Sequence, residues 1–343
     1  MTDTSADFRS DTLTRPDAAM RRAMADAVVG DDVFGEDPTV RELEVEGARV
    51  LGKESAIYVP SGTMANQLAI HVHCRSGDEL ICEERSHVFV YEGGSVARLS
   101  GTQVKTLHAP SGFVTADQLR AAVRADDPHF PRSRLFVLEN THNMAGGRVL
   151  DPAGVDELAA AAHDAGLLVH VDGARLANAA VACGVPPASL TRSVDTVSLC
   201  LSKGLGAPVG SLLAGSEDFI RSARRARKAF GGGMRQAGVI AAAGLLALTE
   251  GPARLADDHR RAGEIAAVAD GLPGLSAAAP DTNIVMVDVA PPVPAAALVD
   301  HLRDRGVLAL AVGPSRVRFV THRDLDDTAV ERCVAALTEW ARR

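Results

Sequence analysis

The chain has 343 residues, 46% hydrophobic and 23% charged, which is ordinary for a soluble globular protein with a large and a smaller domain. Its net charge of −8 is spread over many acids and bases without a basic block, which argues against nucleic acid as a partner. No apolar run reaches the roughly 18 residues that span a bilayer, and the amino terminus lacks a signal-peptide pattern. The five cysteines lack metal-type spacing. We therefore expect a cytoplasmic protein with reduced thiols, no membrane partner and no metal site.

Short apolar runs alternate with helical patterns along most of the chain. The strands predicted in this part are Ala56–Val59, Glu79–Cys82, Val104–His108, Leu135–Leu138, Leu167–Val171, Thr196–Leu201 and Ser211–Ala214. The helical patterns between them include Ala116–Arg124, Gly154–Ala165 and Glu217–Ala229. Strands that alternate with helices form βαβ units, so this part predicts an α/β domain with a mostly parallel sheet.

The pattern changes near residues 249–252, after an Ala-rich helix. The elements predicted beyond this point include strand Ile284–Val289, helix Ala295–Arg305, strand Leu308–Val312 and strand Val317–Val320. A last helix has one apolar face, which is formed by Val330, Val334, Leu337 and Trp340. We therefore expect a large domain of residues 1–250, including an amino-terminal segment 1–15, and a small α/β domain of residues 251–343.

Lys203 follows the apolar strand Thr196–Leu201 and is one of four lysines in a chain with thirty-two arginines. An isolated ammonium is costly to bury, so a lysine at the end of a buried strand is paired, neutral or covalently used. Active sites of open α/β sheets lie at this edge of the sheet. The alternative for Lys203 is a structural salt bridge.

Asp172 and the segment Ser61–Asn66 are candidates for binding a cofactor. Asp172 ends the apolar strand Leu167–Val171, and its carboxylate could accept a hydrogen bond from a protonated pyridine nitrogen. A cap for the next helix is the alternative. The small residues of Ser61–Asn66 open a helical pattern, where free backbone N–H groups and the helix dipole favour an anion such as a phosphate. A plain N-cap by Ser61 or Thr63 is the alternative there.

Three histidines and four arginines are candidates for the substrate side. His87 follows a predicted strand and could lie on a cofactor ring or act as a base, with a surface histidine as the alternative. His129 and His142 flank the strand Leu135–Leu138 and are candidates for contact with a substrate hydroxyl. Guanidinium groups bind carboxylates through two hydrogen bonds, so an amino-acid substrate would need one or two arginines, although solvated arginine is the default. The arginine candidates are Arg9, Arg175, Arg235 and Arg318.

The motifs that contain these residues resemble those of the L-threonine aldolases of the β-eliminating-lyase group. The matching stretches run in order from residue 8 to residue 322 and are FRSDTLTRP, VVGDDVFGEDPTV, VPSGTMANQLA, EERSHVFVYEGG, ENTHNMAGGRVL, VHVDGARLANA, CLSKGLGAPVGS, RKAFGGGMRQAG and VRFVTH. The resemblance implies the aspartate-aminotransferase fold (fold type I), which has a large domain with a mostly parallel sheet and a small carboxyl-terminal domain. It also implies pyridoxal 5'-phosphate (PLP) as the cofactor.

The resemblance assigns cofactor-binding roles to individual positions of this chain. It implies that Lys203 carries PLP as a Schiff base and that Asp172 pairs with the pyridine nitrogen. His87 would stack on the ring. Gly62 and Thr63 would hold the phosphate through their backbone N–H groups.

The resemblance also assigns residues around the substrate and at a subunit contact. Ser10, Arg175 and Arg318 fall where the family binds the substrate carboxylate, with Arg175 also near the phenolic oxygen of the cofactor. Lys228 and Arg235 match residues that shape the phosphate end from a neighbouring subunit. The family is typically a homotetramer built as a dimer of dimers with shared active sites. The departures from the family pattern are Tyr91 and Met144, which lie near the expected substrate side and bear on specificity.

The reaction implied is aldol cleavage of L-threonine, L-allo-threonine and related β-hydroxy-α-amino acids to glycine and an aldehyde. His87, His129 or a water that they orient are the candidate bases for the β-hydroxyl proton. A PLP-dependent β-eliminating lyase that acts on another amino acid is the first alternative. A dinucleotide-binding oxidoreductase is disfavoured, because Gly204, Gly206 and Gly210 miss the G-x-G-x-x-G spacing. A non-enzymatic binding module is the remaining alternative.

Overall fold

The computed structural model describes residues 5–342, so residues 1–4 and 343 of the predicted domains lie outside the described residues. The described chain forms two compact units. The larger unit contains residues 16–145 and 149–252, and the smaller unit contains residues 5–15, 146–148 and 253–342. The sequence pattern groups residues 5–15 with the larger domain. The structure places them in the smaller unit, because Ala6–Asp7 pairs in parallel with Val307–Leu308.

The strands agree closely with the sequence pattern in the larger unit. Within the described residues they are β1 (Ala6–Asp7), β2 (Ser55–Val59), β3 (Glu79–Glu83), β4 (Gln103–Leu107), β5 (Ser133–Glu139), β6 (Leu168–Gly173), β7 (Thr196–Cys200), β8 (Ser211–Gly215), β9 (Leu275–Ala277), β10 (Ile284–Val289), β11 (Val307–Leu308), β12 (Leu310–Ala311) and β13 (Arg316–Val320). The prediction of one strand at Leu308–Val312 is wrong. This stretch forms β11, which pairs with β1, and β12, which pairs with β13.

Several of the helices begin where the sequence supplies a side-chain cap. The α-helices of the described chain are α1 (Ala18–Asp26), α2 (Pro38–Val50), α3 (Gly62–His73), α4 (His87–Val90), α5 (Ser95–Ser100), α6 (Ala116–Ala122), α7 (Pro152–Asp164), α8 (Leu176–Cys183), α9 (Glu217–Ala229), α10 (Gly238–Glu250), α11 (Leu255–Asp270), α12 (Ala295–Arg303) and α13 (Asp327–Trp340). The side chains of Asp37 and Asp151 accept N–H groups of the first turns of α2 and α7, and proline occupies the first position of both helices.

The larger unit is built on a seven-stranded sheet in the order β2-β8-β7-β6-β5-β3-β4. Strand β8 runs antiparallel to both of its neighbours, and the other pairings are parallel, so the predicted mostly parallel sheet is confirmed. Leu213 of β8 packs in a core cluster with α3 and α9, whereas Leu212 lies next to Gly47 of α2. Since successive strand residues point to opposite faces, helices cover both faces of the sheet.

The smaller unit has a four-stranded antiparallel sheet in the order β12-β13-β10-β9, together with the parallel pair β1 and β11. Phe8 and Phe319 lie in its core, with their ring centroids 6.2 Å apart in an edge-to-face arrangement. The predicted apolar face of the last helix packs on the same core. Val330 and Leu337 are buried there, and Val334 and Trp340 are partly buried.

One helical stretch among the described residues, Gly238–Asp270, is long and apolar enough by length and composition to cross a membrane. A core helix of a soluble protein passes the same test. A 3₁₀ turn at Gly251–Arg254 divides the stretch into α10 and α11. Helix α10 packs against α1 and α2, and its residues Ala241, Ala243 and Ala247 have no exposed surface. Burial within the protein therefore accounts for the apolar character of α10.

A buried ion pair joins the loop before α2 to α9 in the larger unit. Arg227 Nη2 lies 2.6 Å from Asp32 Oδ2, and the two side chains are only 3% and 4% exposed. Arg227 also donates from Nη1 to the carbonyl oxygen of Tyr58 at 2.7 Å. Removing one partner of such a pair leaves a charge that is buried without compensation.

We expect Asp32→Ala to lower the free energy of unfolding by about 3–5 kcal/mol, because the Arg227 guanidinium stays buried. Urea denaturation followed by circular dichroism measures this change. The matched control is Asp218→Ala, which breaks the exposed pair between Asp218 and Arg221 and should leave the unfolding curve in place. Equal unfolding curves for wild type and Asp32→Ala would show that the buried pair does not stabilise the fold.

Candidate active site

The parallel strands of the larger unit bring ionisable residues to one edge of the sheet. Asp172 lies at the carboxyl end of β6 and Glu139 ends β5, and the two residues are paired in register. Lys203 follows β7, the neighbour of β6 on its other side, and His87 follows β3. Since β3, β5, β6 and β7 run in the same direction, the four residues lie at their common carboxyl edge.

The Asp172 carboxylate is held by hydrogen bonds from two sides. Asp172 is 2% exposed. Its Oδ1 accepts the backbone N–H of Ala174 at 3.1 Å, and its Oδ2 accepts Asn66 Nδ2 at 2.8 Å. The alternative that Asp172 serves only as a helix cap is not favoured, because one of its oxygens accepts a hydrogen bond from the side chain of Asn66 in α3. The carboxylate is thus fixed at the sheet edge, where it can face a cationic group.

His87 is the first residue of α4, and its ring is one third exposed. Its Nδ1 lies 2.9 Å from Glu92 Oε1, and its backbone N–H donates to Glu139 Oε2 at 2.6 Å. Burial opposes charging of the ring. The hydrogen bond that the ring donates to Glu92 and the charge of Asp172 outweigh burial and the opposing charge of Lys203, so the pKa of His87 is raised above its ordinary value.

The first turn of α3 has the geometry of an anion site. Ser61 caps the helix by accepting the backbone N–H of Met64 at 3.1 Å. Gly62 and Thr63 follow in the first turn, where no preceding helical carbonyl is available for their N–H groups. A Cβ atom on Gly62 would lie 2.6 Å from Cys200 Sγ, so a larger residue there would have to displace the Cys200 side chain. The capping role of Ser61 and the predicted anion site are therefore compatible.

Arg175 and His142 both lie in the larger unit, and both are buried. Arg175 is 6% exposed and donates from Nη1 to Asn143 Oδ1 at 3.3 Å. His142 has no exposed surface, its Nε2 bonds Glu83 at 2.9 Å, and its Nδ1 accepts the N–H of Ala145 at 3.2 Å. Both ring nitrogens of His142 are thus engaged in the interior, and its contact with a substrate stays a prediction.

His129 lies far from the other predicted site residues of its own chain. Its side chain is 87% exposed and bonds Asp127 at 2.7 Å, in the loop that precedes β5. Asp172 lies at the carboxyl edge of the sheet, whereas this loop enters β5 at the amino edge. At roughly 3.3 Å per residue, a seven-residue strand separates the two edges by about 20 Å. His129 therefore lies away from this edge of its own chain, and its role as the base stays a prediction.

The remaining residues predicted around the substrate lie at two places, one in each unit. Tyr91 is half-exposed, with its ring centroid 5.7 Å from that of His87 and its hydroxyl 3.2 Å from Met144 Sδ. Ser10 caps a 3₁₀ turn of the smaller unit, and Arg318 Nη2 donates to the carbonyl oxygen of Arg9, the residue before Ser10, at 3.2 Å. The two predicted carboxylate ligands of the smaller unit are thus close together there.

Lys228 and Arg235 are both exposed on the larger unit, one at the end of α9 and the other in the loop that follows. The Arg235 guanidinium pairs with Asp31 at 2.9 Å.

Sequence reasoning missed Glu92 and Asn66. Glu92 holds His87 and is buried, and Asn66 bonds both Glu92 and Asp172. A local signal for Asn66 existed, because it is a polar residue at the end of Ser61–Asn66, just before the mostly apolar part of the helical pattern. Glu92 gave no such signal, since a glutamate between a tyrosine and two glycines is typical of an exposed turn.

The donor set at this edge fits PLP by its chemistry. A buried carboxylate at Asp172 suits a cationic ring nitrogen, the first turn of α3 suits a phosphate, and the amine of Lys203 suits an aldehyde. His87, Glu92 and Asp172 each bring one potential metal-ligand atom within 4.8 Å of the others, the one such group found among the described residues. Asn66 already donates hydrogen bonds to Glu92 and Asp172, and His87 is hydrogen-bonded to Glu92.

This fold and donor set define the class of fold type I PLP enzymes. The structure is similar to that of a threonine aldolase from Leishmania major, with a TM-score of 0.84, 19% sequence identity, and coverage of 98% of this chain and 99% of that one. At that identity the similarity shows the fold alone. The chain belongs to the beta-eliminating lyase family, whose profile matches residues 7–292.

Two relatives are similar to this chain over nearly its full length. A probable low-specificity L-threonine aldolase 2 of Arabidopsis thaliana is 44% identical over 95% of this chain and 94% of its own length. A low specificity L-threonine aldolase of Escherichia coli (strain K12) is 44% identical over 93% of this chain and 94% of its own length. Both identities extend across the two structural units, and the family resemblance inferred from the motifs is confirmed.

We expect Glu92→Gln to lower the pKa of His87 in the cofactor-free protein, because the carboxylate that stabilises the imidazolium is lost. NMR titration of isotope-labelled histidines measures this pKa. The control Glu84→Gln removes an exposed carboxylate bound to His108 and should leave the His87 titration in place.

The raised pKa of His87 also makes the free energy of unfolding depend on pH. A pKa raised on folding stabilises the folded protein below the unfolded-state pKa, and this contribution disappears as pH rises through the folded-state pKa. The stability difference between wild type and Glu92→Gln should therefore shrink as pH increases. An unchanged His87 titration in Glu92→Gln would show that Glu92 does not control the ring.

Proposed function

We propose that this chain is a PLP-dependent aldehyde-lyase that cleaves L-threonine, L-allo-threonine and related β-hydroxy-α-amino acids to glycine and an aldehyde. The observation that carries the proposal is the placement of Asp172 and Lys203 at the carboxyl ends of the adjacent strands β6 and β7. The 44% identity to relatives named low-specificity threonine aldolases supports this reaction. PLP is proposed as the cofactor, with an amino acid as the small-molecule substrate.

The proposed cofactor contacts follow the donor set at the sheet edge. Lys203 would bind the aldehyde carbon, Asp172 the ring nitrogen and His87 the ring face. The backbone N–H groups of Gly62 and Thr63 would bind the phosphate. When bound, PLP supplies an electron sink for the electron pair of the broken Cα–Cβ bond.

His87 is our proposed base for the β-hydroxyl proton. Its Nδ1 is engaged by Glu92, so the neutral ring carries its proton on Nδ1 and leaves the Nε2 lone pair available. This carboxylate–imidazole arrangement stabilises the imidazolium that forms when Nε2 takes the proton. Tyr91 lies next to His87, and Met144 lies next to the Tyr91 hydroxyl. Both would contact the substituent on Cβ and would affect specificity.

The proposed ligands of the substrate carboxylate are Ser10, Arg175 and Arg318. The guanidinium of Arg318 lies beside the chain segment that carries Ser10, which supports their acting together. Arginine binds carboxylate through two hydrogen bonds, and this geometry would hold the amino acid with one substituent oriented for cleavage.

We also propose that the enzyme is a homotetramer, a dimer of dimers with shared active sites. The segment before α2 exposes apolar side chains, namely Val28 (69%), Val29 (41%), Val33 (37%) and Phe34 (75%). An exposed apolar surface of this kind is typical of a protein interface. Arg235 lies beside it, because its carbonyl oxygen accepts the N–H of Asp32 at 3.0 Å. A partner subunit covering this surface would receive Arg235 and Lys228 near its phosphate site.

We propose the cytoplasm as the compartment of this enzyme. The five cysteines, all among the described residues, form no disulfide, and four of them, Cys74, Cys82, Cys200 and Cys333, are buried. Reduced thiols of this kind are typical of a reducing compartment. Neither a membrane nor a nucleic acid is part of the proposed function, and burial of α10 against α1 and α2 supports the first of these statements.

Substituting Lys203 tests the proposed function. We expect Lys203→Ala to lower kcat for L-threonine cleavage by about 10³-fold or more, because it removes the covalent attachment point of the cofactor. Borohydride reduction of the wild type followed by peptide mapping should place the adduct on Lys203 and on none of the other lysines, Lys53, Lys105 and Lys228. Glycine and aldehyde are the expected products. Pyruvate and ammonia would instead identify a β-eliminating lyase, and an adduct elsewhere would overturn the assignment of Lys203.

Mixed oligomers test the shared active site. We expect Arg235→Ala and Lys203→Ala each to be nearly inactive, and their co-expressed, differently tagged hybrid to regain activity, because some sites then contain neither substitution. The control hybrid combines Lys203→Ala with Asp172→Ala, whose substituted residues belong to the same edge of one chain, and should stay inactive. If the first hybrid is no more active than its parents, Arg235 does not serve a neighbouring site.

A further inference from the structure

Asn66 lies in the second turn of α3 and uses both ends of its side-chain amide. The residue is 1% exposed. Its Nδ2 donates to Glu92 Oε1 at 2.9 Å and to Asp172 Oδ2 at 2.8 Å. Its Oδ1 accepts Ser198 Oγ at 3.0 Å and bonds His170 Nε2 at 3.1 Å. The amide therefore connects the two carboxylates of the site to the strands beneath them.

The orientation of this amide is determined by its neighbours. A carboxylate oxygen only accepts hydrogen bonds, so the two oxygens of Glu92 and Asp172 require the NH₂ group of Asn66. The opposite orientation would place Oδ1 against two carboxylate oxygens. Asn66 Oδ1 must then face His170, which has to donate from Nε2.

The orientation of Asn66 sets the direction of a longer hydrogen-bond chain. Burial lowers the pKa of His170 to about 3, so the ring is neutral, and with its proton on Nε2 its Nδ1 accepts from Thr196 Oγ1 at 3.0 Å. Thr196 Oγ1 then accepts from His73 Nε2, also at 3.0 Å. Burial lowers the pKa of His73 to about 4, so this ring is also neutral. Every donor in the chain points toward Asp172.

We propose that Asn66, backed by the neutral donor His170, is a positioning residue that holds Asp172 and Glu92 together as an ionised pair against a cationic cofactor ring. This inference rests on the proposed function, because it assigns Asp172 to the ring nitrogen. Two carboxylates this close repel one another, and the two N–H groups of Asn66 lie between them. Hydrogen bonds donated to a carboxylate stabilise its charged form, and polarised chains strengthen such bonds.

The pairing of Glu92 with Asp172 also couples the ring face to the ring nitrogen. Glu92 holds His87 through Oε1, the same oxygen that Asn66 binds. Its other oxygen accepts Gln67 Nε2 at 2.6 Å. Losing Asn66 therefore releases Asp172 completely from α3 but leaves Glu92 with one side-chain amide donor. Asn66 and Gln67 are neighbouring buried amides, which makes Gln67 the matched control.

The test compares PLP affinity among variants of the full-length enzyme. We expect Asn66→Ala, and Asn66→Asp with nearly unchanged shape, to weaken PLP binding about 10- to 100-fold, the range for partners that orient a bound ligand's first contacts. Gln67→Ala should weaken it by about threefold at most, since one neutral hydrogen bond is lost and Asp172 keeps its donor. The dissociation constant is measured by titrating cofactor-free protein with PLP while following absorbance.

A second readout separates positioning from general loss of structure. The visible absorption band of the bound cofactor, followed against pH, should shift in Asn66→Ala and stay in place in Gln67→Ala, because only the first alters the partner of the ring nitrogen. His170→Gln keeps a neutral donor and acceptor and should retain PLP affinity within about threefold, whereas His170→Leu should lose about tenfold. Thermal unfolding of the cofactor-free variants shows whether they are folded.

The outcomes distinguish this inference from the proposed function. A wild-type protein that never binds PLP overturns both. A wild type that binds PLP and cleaves L-threonine, with Asn66→Ala equal to it in affinity and absorption, overturns only the role of Asn66. Equal losses in Asn66→Ala and Gln67→Ala, or in His170→Gln and His170→Leu, also overturn it. Selective losses in Asn66 variants and His170→Leu support it.

Discussion

Buried acids at the carboxyl edge of the seven-stranded sheet determine where the surrounding loops and α3 must place hydrogen-bond donors. Glu83, Glu92 and Glu139 are each 4% exposed, and Asp172 is 2% exposed. Burying a carboxylate costs free energy unless donors satisfy its oxygens, because water no longer does so. The loops after the parallel strands and the first turns of α3 supply these donors. The loops therefore follow paths that bring donors to the carboxylate oxygens, and these paths determine the geometry of the site.

Glu139 illustrates how one such acid organises two loops. One of its oxygens accepts the backbone N–H of His87, after β3, and the other accepts the N–H of Asn143, after β5. Burial and the nearby charge of Asp172 raise the pKa of Glu139, with His142 opposing them. The same carboxyl thus aligns the residue proposed to lie on the cofactor and the loop that holds Arg175 through Asn143. An edge rich in acids also suits a cofactor whose ring is cationic.

The fold was largely predictable from local patterns, and the site only in part. Strands such as Leu135–Leu138 are read directly, because strands covered on both faces form continuous apolar runs. Asp172 and Lys203 were found because each ends or follows such a run, and parallel strands end at one edge. Asn66 was not assigned a role, since its function depends on which carboxylates face α3. The short pairings of β11 and β12 were missed because two residues carry no detectable periodicity.

His129 and His142 show the limit of sequence most directly, because they flank the same strand and the pattern treats them alike. The structure places one at the exposed amino end of β5 and encloses the other at its carboxyl end. The sequence by itself determined the fold class, the succession of strands along the chain and the types of reactive group at their ends. The tertiary structure decided which polar groups meet, as in the bond between Asn66 and Asp172, 106 residues apart. Periodicity describes a residue's own element, whereas a buried polar group is satisfied by elements distant in the chain.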